Sequence, residues 1–186
     1  MRYAIFLDRD NTIIRNDDHL GDPAGVELFE DSVESLLRFV EAGYELVVVT
    51  NQSGVARGLF TEEDVHAVHE TIRKQVRDAS GGHDLLVHWY HSPYHPDGHV
   101  EPFNIAHDTR KPEPGMLHQA AAELDLDLTG SWMIGDTPRD VRAGQNAGCR
   151  TILLRHSGYE TMDEPAPDAV VNSLADAVDI ILDLPS

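Results

Sequence analysis

The stretch "YAIFLDRDNTII", residues 3–14, decides the fold and raises the first question about function. Its first five residues are mostly apolar and predict a fully buried strand over Tyr3 to Leu7. Asp8 and Asp10 follow directly, where the chain turns polar. Two carboxylates about 4 Å apart repel each other by about 4 kcal/mol at an effective dielectric of about 20. The pair therefore predicts that a cation lies beside the end of this strand.

Strand-like and helix-like segments alternate along the rest of the chain. The further predicted strands are "YELVVVT" (44–50), "DLLVHWYH" (84–91), "SWMIGD" (131–136), "CRTILL" (149–154) and "AVV" (169–171). Helices are predicted within residues 30–43, 61–76, 114–124 and 138–147, and from about residue 173. This alternation is typical of an α/β fold, here a Rossmann-like, doubly wound and mostly parallel sheet with helices on both faces. Because no linker or repeat divides the sequence, residues 1–186 are expected to form a single domain.

The first two helices have the spacing of apolar residues that buries one helix face. The predicted buried positions are Val33, Leu36, Leu37 and Val40 in the first helix and Val65, Val68, Ile72 and Val76 in the second. Asp31 and Glu34 have the spacing of a capping box, and Thr61 is the predicted N-cap of the second helix. Before the helix that Pro114 begins, residues 92–113 are predicted to form a long irregular loop, rich in proline and histidine. Loops of this length commonly carry function.

The chain is strongly acidic, with 33 acidic residues against 14 basic ones and a net charge of −19. Only two of the basic residues are lysines, Lys74 and Lys111. Such a charge repels the phosphates of nucleic acids, so no nucleic-acid partner is expected. The acidity is typical of a solvated surface, and an acidic docking face for a basic partner is the alternative.

The chain is expected to lie in the cytoplasm, and a monomer is the default expectation for its oligomeric state. No apolar run approaches the roughly 20 residues that span a bilayer, so no membrane partner is expected. The N-terminus has no apolar stretch of the kind that a secretory signal requires. The single cysteine, Cys149, cannot form an internal disulfide and is expected to be a small buried apolar residue.

Polar residues follow the carboxyl ends of several predicted strands. They are Asp8 and Asp10 after the first strand, Thr50 at the end of the second, Arg110 and Lys111 in the loop after the third, and Asp136 and Asp140 after the fourth. In sheets of this kind, ligands bind outside the carboxyl ends of the strands. Four segments are therefore expected to converge at one edge of the sheet. Asp140 by itself has an equally good explanation as an acidic residue in the first turn of a helix.

These residue types suit the transfer of a phosphoryl group. Oxygen ligands without histidine or thiolate favour a hard cation, and we predict Mg²⁺ held by Asp8, Asp10 and Asp136. The hydroxyl of Thr50 and the ammonium of Lys111 are predicted to bind the phosphoryl oxygens. Asp8 is the predicted nucleophile, which would form an acyl phosphate. Asp10 lies two residues further along, is expected to face the same way, and is the predicted acid and base.

Four motifs, in this order, resemble the haloacid dehalogenase (HAD) superfamily of phosphatases, which use an aspartate as nucleophile. The resemblance covers about residues 3–154 and rests on "DRDNTII" (8–14), "TNQSGVARGLFTEED" (50–64), "RKPEPGML" (110–117) and "IGDTPRD" (134–140). The first three motifs are similar to the branch that contains heptose bisphosphate phosphatases and histidinol-phosphatases, and "RKPEPGML" favours the heptose enzymes. The resemblance implies a Mg²⁺-dependent phosphatase that hydrolyses a small phosphorylated metabolite.

The resemblance also implies a role for each matching residue. Asp8 is the nucleophile and a Mg²⁺ ligand, Asp10 is the acid and base and offers its backbone carbonyl to the metal, and Asp136 is the third ligand. The residues implied in binding substrate are Thr50, Asn51, Gln52, Ser53, Arg57, Arg110 and Lys111, of which Ser53 and Lys111 are also catalytic. Arg110 is implied in recognising a second phosphate. Since the segments between strands are too short for a large cap domain, specificity is expected to rest on a flap over Asn16 to Gly21 and on the arginine-bearing loops.

Two departures from the family pattern affect the expected site. Asn11 stands where the branch usually has glycine, and asparagine tolerates left-handed backbone, so the turn is expected to survive. Many family members carry a zinc site in the loop after the third strand, and the equivalent positions here are Ser92, Tyr94, His107 and Thr109. Zinc is therefore not expected at those positions.

Without zinc, the loop is expected to be held by its prolines and by packing of Tyr94 against Phe103. The prolines are Pro93, Pro96 and Pro102. The alternative is a replacement metal site among the histidines of the loop, whose spacing matches no tetrahedral pattern. These histidines are His91, His95, His99 and His107.

Other functions stay open at the level of the sequence. Histidinol phosphate is the strongest rival substrate. A phosphatase acting on nucleic acid ends is disfavoured by the acidic charge and by the lack of a basic, aromatic-rich stripe. A signalling receiver domain also uses clustered acids, a threonine and a lysine, but an acid two residues from the phosphorylated aspartate would hasten hydrolysis. A non-catalytic phosphate-binding domain is disfavoured because every catalytic position is filled.

Overall fold

The computed structural model describes residues 2–16, 18–155 and 166–183. The strands of this part of the chain are β1 (Ala4–Leu7), β2 (Glu45–Asn51), β3 (His88–Ser92), β4 (Trp132–Gly135), β5 (Arg150–Leu154) and β6 (Ala169–Val171). The helices are α1 (Ser32–Glu41), α2 (Glu62–Ala79), α3 (Gly115–Leu124), α4 (Pro138–Ala147) and α5 (Leu174–Asp183). Short 3₁₀ turns lie at Pro23–Gly25 and Leu128–Gly130.

The six strands form one parallel sheet in the order β3-β2-β1-β4-β5-β6. The order reverses at β1, so the chain runs outward from the centre in both directions. This confirms the predicted doubly wound α/β fold. Crevices in such sheets open at the point of reversal, beyond the carboxyl ends of the strands. For this chain that point lies directly after Leu7.

Helices cover both faces of the sheet, and alternate residues of β1 face the two layers. Ile5 and Leu7 pack with residues of α1, α2 and α5, whereas Ala4 and Phe6 pack with residues of α3 and α4. All four are fully buried. Because both faces are covered, the central strands are continuously apolar, as parallel sheets require.

Two details of α1 differ from the sequence prediction. Val40 is 41% exposed, and Phe39 is buried in its place, because the helix turns its Ser32, Ser35 and Phe39 side towards the sheet. The predicted capping box is absent as well. Instead of capping its own helix, the carboxylate of Asp31 accepts a hydrogen bond from the backbone N–H of Ala175, at the start of α5.

The prediction for β3 began too early, at residue 84. The strand begins at His88, because pairing with β2 starts only where His88 lies opposite Val47. Leu85 and Leu86 are buried without being part of the sheet, so their apolar run indicated burial rather than strand. The remaining helix predictions hold: Thr61 forms a capping box with Asp64, and the predicted apolar stripe of α2 is buried. In the described part of the chain, no helix combines the length and apolarity needed to cross a membrane.

Candidate active site

Three buried carboxylates meet at the carboxyl edge of the sheet. Asp8 follows β1, Asp136 follows β4, Asp140 lies in the first turn of α4, and their carboxylate oxygens come within 4.8 Å of one another. The Nζ atom of Lys111 lies 2.9 Å from Asp8 Oδ1 and 2.6 Å from Asp140 Oδ1. The structure thus brings together four side chains from three segments that are distant in sequence.

Lys111 is fixed from several directions. Its ammonium donates a hydrogen bond to the backbone carbonyl of Val49 at 2.7 Å. Its backbone N–H and carbonyl form a reciprocal pair of hydrogen bonds with the side chain of Asn51, at 3.0 and 2.9 Å. The end of β2 therefore positions the lysine, with its ammonium 2.9 Å from Asp8 Oδ1.

Asp140 serves both as a helix cap and as part of the site. Its Oδ2 accepts hydrogen bonds from the backbone N–H and the hydroxyl of Thr137, which forms the capping box of α4, while its Oδ1 faces Lys111. Gly135 makes room for this arrangement, because a Cβ atom there would lie 2.4 Å from Asp140 Cγ. The two explanations that the sequence left open for Asp140 are therefore compatible.

Burial and crowding set the charges of this cluster. Burial, and then the neighbouring carboxylates of Asp140, Asp136 and Asp10, raise the pKa of Asp8 to about 7, although Lys111 acts in the opposite direction. Burial by itself would lower the pKa of Lys111, but Asp140 and Asp8 outweigh it and hold that pKa above its usual value. Lys111 is therefore a permanent cation, and Asp8 is a carboxylate that needs further positive charge to stay ionised at neutral pH.

The carboxylate of Asp10 is held apart from this cluster. Arg9 donates to both of its oxygens at 3.1 to 3.2 Å, Gln52 donates to Oδ2 at 2.9 Å, and Asn16 donates to Oδ1 at 2.8 Å. Arg9 is itself fully buried, and its second contact is the side-chain oxygen of Gln52 at 3.0 Å. This clamp was not predicted, although an arginine directly between the two aspartates was the available signal in the sequence.

Asp8 and Asp10 do not lie on a strand, so strand alternation does not set the direction of their side chains. β1 ends at Leu7, and Asp10 belongs to a turn in which it makes a single bridge with Ile14. Asn11 follows in a left-handed conformation, with φ of 54°, as expected for a residue that replaces glycine. Asp8 and Asp10 nevertheless line the same cavity, since the turn brings the chain back over the edge of the sheet.

The cavity has a volume of about 210 Å³ and lies over the carboxyl ends of the strands. Its lining includes the predicted site residues Asp8, Asp10, Asn51, Ser53, Arg110, Lys111, Asp136 and Asp140. It also includes residues that the sequence analysis did not assign to substrate, namely Asn11, Asp18, His19, Thr137 and Arg139. Asp18 and His19 belong to the predicted flap, of which Asp17 lies outside the described residues.

Three predicted substrate-binding residues do not line the cavity. Thr50 is buried beneath it, and its hydroxyl accepts a hydrogen bond from Gln52 at 2.9 Å. Gln52 in turn donates a hydrogen bond to Asp10 Oδ2. Thr50 and Gln52 therefore support Asp10 and do not line the cavity themselves. Arg57 contacts His95 Nε2 at 3.1 Å. A direct role for these three in binding substrate remains a prediction.

Arg110 and Arg139, which line the cavity, form a group of guanidinium cations together with Arg57. Burial, and then repulsion from Arg139 and Arg57, lower the pKa of Arg110 to about 10. Within the ranges that the structure describes, no carboxylate lies at ion-pair distance from any of the three. An arginine in the first turn of a helix opposes the helix dipole, and this was the signal in the sequence for Arg139. The group is suited to an anion.

The four positions of the family's zinc site still contact one another. The ring of Tyr94 stacks on His107 with centroids 3.9 Å apart, and His107 Nδ1 lies 2.8 Å from the hydroxyl of Thr109. That hydroxyl in turn donates to Ser92 Oγ at 3.2 Å. Tyr94 also packs against Phe103, at 5.8 Å between centroids, as predicted. A hydrogen-bonded and stacked cluster therefore links the two ends of the loop.

Comparison with known proteins finds relatives that match nearly the whole chain. Residues 108–177 match the family model described as HAD-hydrolase-like. The chain is 38% identical over 175 residues to the D-glycero-beta-D-manno-heptose-1,7-bisphosphate 7-phosphatase of Photorhabdus laumondii, which covers 93% of this chain and 92% of that protein. The protein of the same name from Pasteurella multocida is 35% identical over 188 residues, 100% of both chains. A solved D,D-heptose 1,7-bisphosphate phosphatase from B. bronchiseptica, complexed with magnesium and phosphate, has a TM-score of 0.83 at 30% identity over 98% of both chains.

The chain therefore belongs to the HAD superfamily of phosphatases and is a phosphoric monoester hydrolase. The particular relatives that match nearly its whole length are heptose bisphosphate phosphatases. This confirms the branch of the superfamily that the sequence motifs indicated.

Proposed function

We propose that this chain hydrolyses the 7-phosphate of D-glycero-D-manno-heptose 1,7-bisphosphate through a phosphoenzyme formed on Asp8. The observation that carries the proposal is one cavity lined both by Asp8 and Lys111 and by Arg110 and Arg139. A bisphosphate has two anionic groups, one for each set of residues. The names of relatives at 35 to 38% identity support the same substrate.

The carboxylate cluster fits a divalent cation. Burial and repulsion raise the pKa of Asp8 towards neutrality, and a dication would relieve that repulsion. Oxygen donors favour a hard ion, and the related structure from B. bronchiseptica contains magnesium and phosphate. We propose that Asp8, Asp136 and the backbone carbonyl of Asp10 hold Mg²⁺, which would supply positive charge beside the phosphoryl oxygens. Asp140 would remain bound to Lys111.

The reaction has two steps. In the first, a carboxylate oxygen of Asp8 bonds to phosphorus, the bond from phosphorus to the sugar oxygen breaks, and Asp10 donates a proton to that oxygen. In the second, a water oxygen bonds to phosphorus while Asp10 takes a proton from the water, and the bond from phosphorus to the Asp8 oxygen breaks, which releases inorganic phosphate and restores the Asp8 carboxylate. Lys111 supplies fixed positive charge beside the reacting group, and Ser53 donates a hydrogen bond to it. Asp10 must loosen its hydrogen bonds to act, and Asn16 is the partner that the flap carries.

The arginine group provides the preference for a bisphosphate. Arg110 and Arg139 line the cavity, and Arg57 adds to the positive potential around Arg110. Charge-assisted hydrogen bonds from guanidinium to phosphate are among the strong polar contacts in proteins. We propose that the phosphate that is not hydrolysed binds these arginines, which places the other phosphate against Asp8.

A panel of substrates tests the function. Purified enzyme with Mg²⁺ is assayed for phosphate release from heptose bisphosphate, other sugar bisphosphates, sugar monophosphates and histidinol phosphate, and kcat/KM is compared. We expect the heptose bisphosphate to be preferred and only its 7-phosphate to be lost, as seen by ³¹P NMR. Comparable kcat/KM for all compounds would contradict the substrate assignment, and a preference for histidinol phosphate would replace it.

We further propose that the enzyme acts as a monomer in the cytoplasm on a small metabolite. The net charge of −19 supports this, since like-charged chains repel one another and nucleic acids. Light scattering coupled to size-exclusion chromatography is expected to give a mass near 20.6 kDa. A stable dimer would contradict the proposal.

A further inference from the structure

Arg9 contacts the carboxylates of both aspartates that follow β1. Its backbone N–H donates a hydrogen bond to Asp8 Oδ1 at 2.8 Å. Its guanidinium donates to both oxygens of Asp10, from Nε to Oδ1 at 3.2 Å and from Nη2 to Oδ1 and Oδ2 at 3.1 Å. The rigid, planar fork of an arginine fixes the direction of a carboxylate, which a single donor cannot do. Arg9 therefore sets where the Asp10 carboxylate points as well as balancing its charge.

Gln52 supports the same arrangement. Its Nε2 donates to Asp10 Oδ2 at 2.9 Å, and its Oε1 accepts a hydrogen bond from Arg9 Nη2 at 3.0 Å. Asp10 lines the active-site cavity, whereas Arg9 and Gln52 do not. Arg9 is fully buried, so it does not touch a substrate. Any effect of its side chain on the reaction must therefore pass through the groups that it contacts.

A role in stability alone does not explain the contact between Arg9 and Asp10. The Nη1 atom of Arg9 is buried and has no hydrogen-bond partner among the residues that the structure describes. Removing a charge from water costs about as much free energy as its pairing returns, and a buried N–H group without a partner costs more. The fold therefore gains little from a guanidinium at this position, which points to a role in the reaction.

We propose that Arg9 is a positioning residue that holds the Asp10 carboxylate in the orientation needed for proton transfer, apart from the metal-binding carboxylates. The inference rests on the proposed function, in which Asp10 protonates the leaving oxygen. Asp10 lines the same cavity as the carboxylate cluster, yet it is not among the described carboxylates whose oxygens come within 4.8 Å of one another, which are Asp8, Asp136 and Asp140. The contact with Arg9 explains this separation and keeps the oxygens of Asp10 available to a proton.

The consequence appears in how strongly the rate depends on the leaving group. A sugar oxygen or a phenolate is a poor leaving group and needs a proton as its bond to phosphorus breaks, whereas p-nitrophenolate leaves without one. The value of kcat/KM reports the steps up to the release of the phenol, so the attack of water in the second step does not affect it. A loss of correct positioning at Asp10 should therefore slow poor leaving groups selectively.

Two matched aryl phosphates, phenyl phosphate and p-nitrophenyl phosphate, measure this dependence as a ratio of kcat/KM values with Mg²⁺. Arg9→Lys keeps the charge but loses the fork, and it should raise the preference for p-nitrophenyl phosphate by about 10-fold or more, since general acid catalysis contributes roughly 10²- to 10⁴-fold. Gln52→Leu should change the ratio in the same direction, so the result does not depend on the folding of one variant. With the heptose bisphosphate, Arg9→Lys should lower kcat and leave KM nearly unchanged.

A double variant shows whether Arg9 acts through Asp10. Asp10→Asn removes the acid and should give the largest ratio. Adding Arg9→Lys to Asp10→Asn should then change the ratio no further, because the residue that Arg9 positions is already lost.

The control changes another arginine in an ion pair. Arg38 pairs with Asp179 at 2.8 Å, far from the cavity lining, and Arg38→Lys should leave the ratio and kcat unchanged. Equal losses on both aryl phosphates in Arg9→Lys, an effect confined to KM, or an effect that persists in Asp10→Asn would overturn the inference alone. A wild type that releases phosphate from none of the three compounds would overturn the proposed function and the inference with it.

Discussion

At the scale of a single residue, Asp8 combines a proposed role as the nucleophile with a carboxylate that is costly to keep ionised. Its carboxylate is buried beside Asp136 and Asp140, which raises its pKa. The ammonium of Lys111, 2.9 Å from Asp8 Oδ1, offsets only part of that increase. A nucleophile in such a position is kept reactive by fixed neighbouring charges rather than by exposure to water.

The nucleophile can be tested by an isosteric change. Asp8→Asn removes the attacking oxygen and its charge but keeps the shape of the side chain, so we expect kcat to fall at least about 10³-fold, as for other catalytic nucleophiles. The fold should persist, with an unchanged circular dichroism spectrum. The enzyme is assayed in Mg²⁺ by phosphate release. Retained turnover would mean that another residue is the nucleophile.

The role proposed for Arg139 can be tested separately from the chemistry at Asp8. Arg139→Gln removes a cation from the cavity lining, and the loss of a charge-assisted hydrogen bond of about 1.5 to 3 kcal/mol predicts a decrease of roughly 10- to 100-fold in kcat/KM for the bisphosphate. Hydrolysis of a small monophosphate should change little, because the site around Asp8 is intact.

The control for Arg139 lies on the same helix. Arg142 is exposed and is not part of the cavity lining, so Arg142→Gln should leave kcat/KM unchanged for both substrates. Equal losses on the bisphosphate and the monophosphate in Arg139→Gln would instead indicate damage to the catalytic cluster.

At the scale of elements, α2 packs on β3 through a neutral histidine. The pKa of His69 falls from 6.5 to about 2, chiefly by burial, so the folded chain binds no proton there at moderate acidity, whereas the unfolded chain does. The contribution of His69 to the free energy of unfolding is therefore fully present above pH 6.5. It is lost as the pH falls below 6.5, by up to about 1.4 kcal/mol per pH unit.

This dependence predicts a change in acid stability. In metal-free protein, His69→Phe keeps the stacking on Trp89 but cannot be protonated in either state, so its free energy of unfolding should fall less between pH 7 and pH 5 than that of the wild type. Urea unfolding at several pH values measures this. The exposed variant His83→Gln should behave as the wild type does, and a His69→Phe profile parallel to the wild type would refute the prediction.

The loop between β3 and α3 depends on its hydrogen-bonded cluster. Thr109→Val removes the hydroxyl that joins His107 to Ser92 and leaves both without that partner, which should lower the free energy of unfolding by about 1 to 3 kcal/mol. Thr71→Val, which removes a hydroxyl bonded only within α2, is the control and should have a smaller effect. Equal effects would mean that the cluster does not hold the loop.

At the scale of the whole molecule, charge governs the response to metal. The net charge of −19 means that any salt stabilises the protein by screening, whereas a bound dication acts locally at Asp8. Burial raises the pKa of Asp8 to about 7, so in the metal-free protein its carboxylate becomes charged as the pH rises through neutrality. Only the charged carboxylate needs a cation beside it.

Removal of metal should therefore lower Tm in a pH-dependent way. We expect Mg²⁺ to raise Tm more at pH 8 than at pH 5.5, where Asp8 is protonated in the metal-free protein and the ion must displace that proton. Differential scanning fluorimetry with Na⁺ at equal ionic strength as the reference separates binding from screening. An Mg²⁺ effect no larger than that of Na⁺, or one independent of pH, would contradict the expected metal site.

The sequence by itself determined the α/β architecture and the edge of the sheet where the site lies, because apolar periodicity is local and parallel strands necessarily share a carboxyl edge. It also indicated Asp8, Lys111 and Asp136 as neighbours, since each follows a different strand. Tertiary structure alone decided that Arg9, Gln52 and Asn16 clamp Asp10, and that Arg139 joins the cavity. It also placed Asp140 in contact with both Thr137 and Lys111. These outcomes depend on the direction of side chains in turns, which distant packing sets. Local signals, such as an arginine between two aspartates, therefore indicate candidate residues but do not determine their contacts.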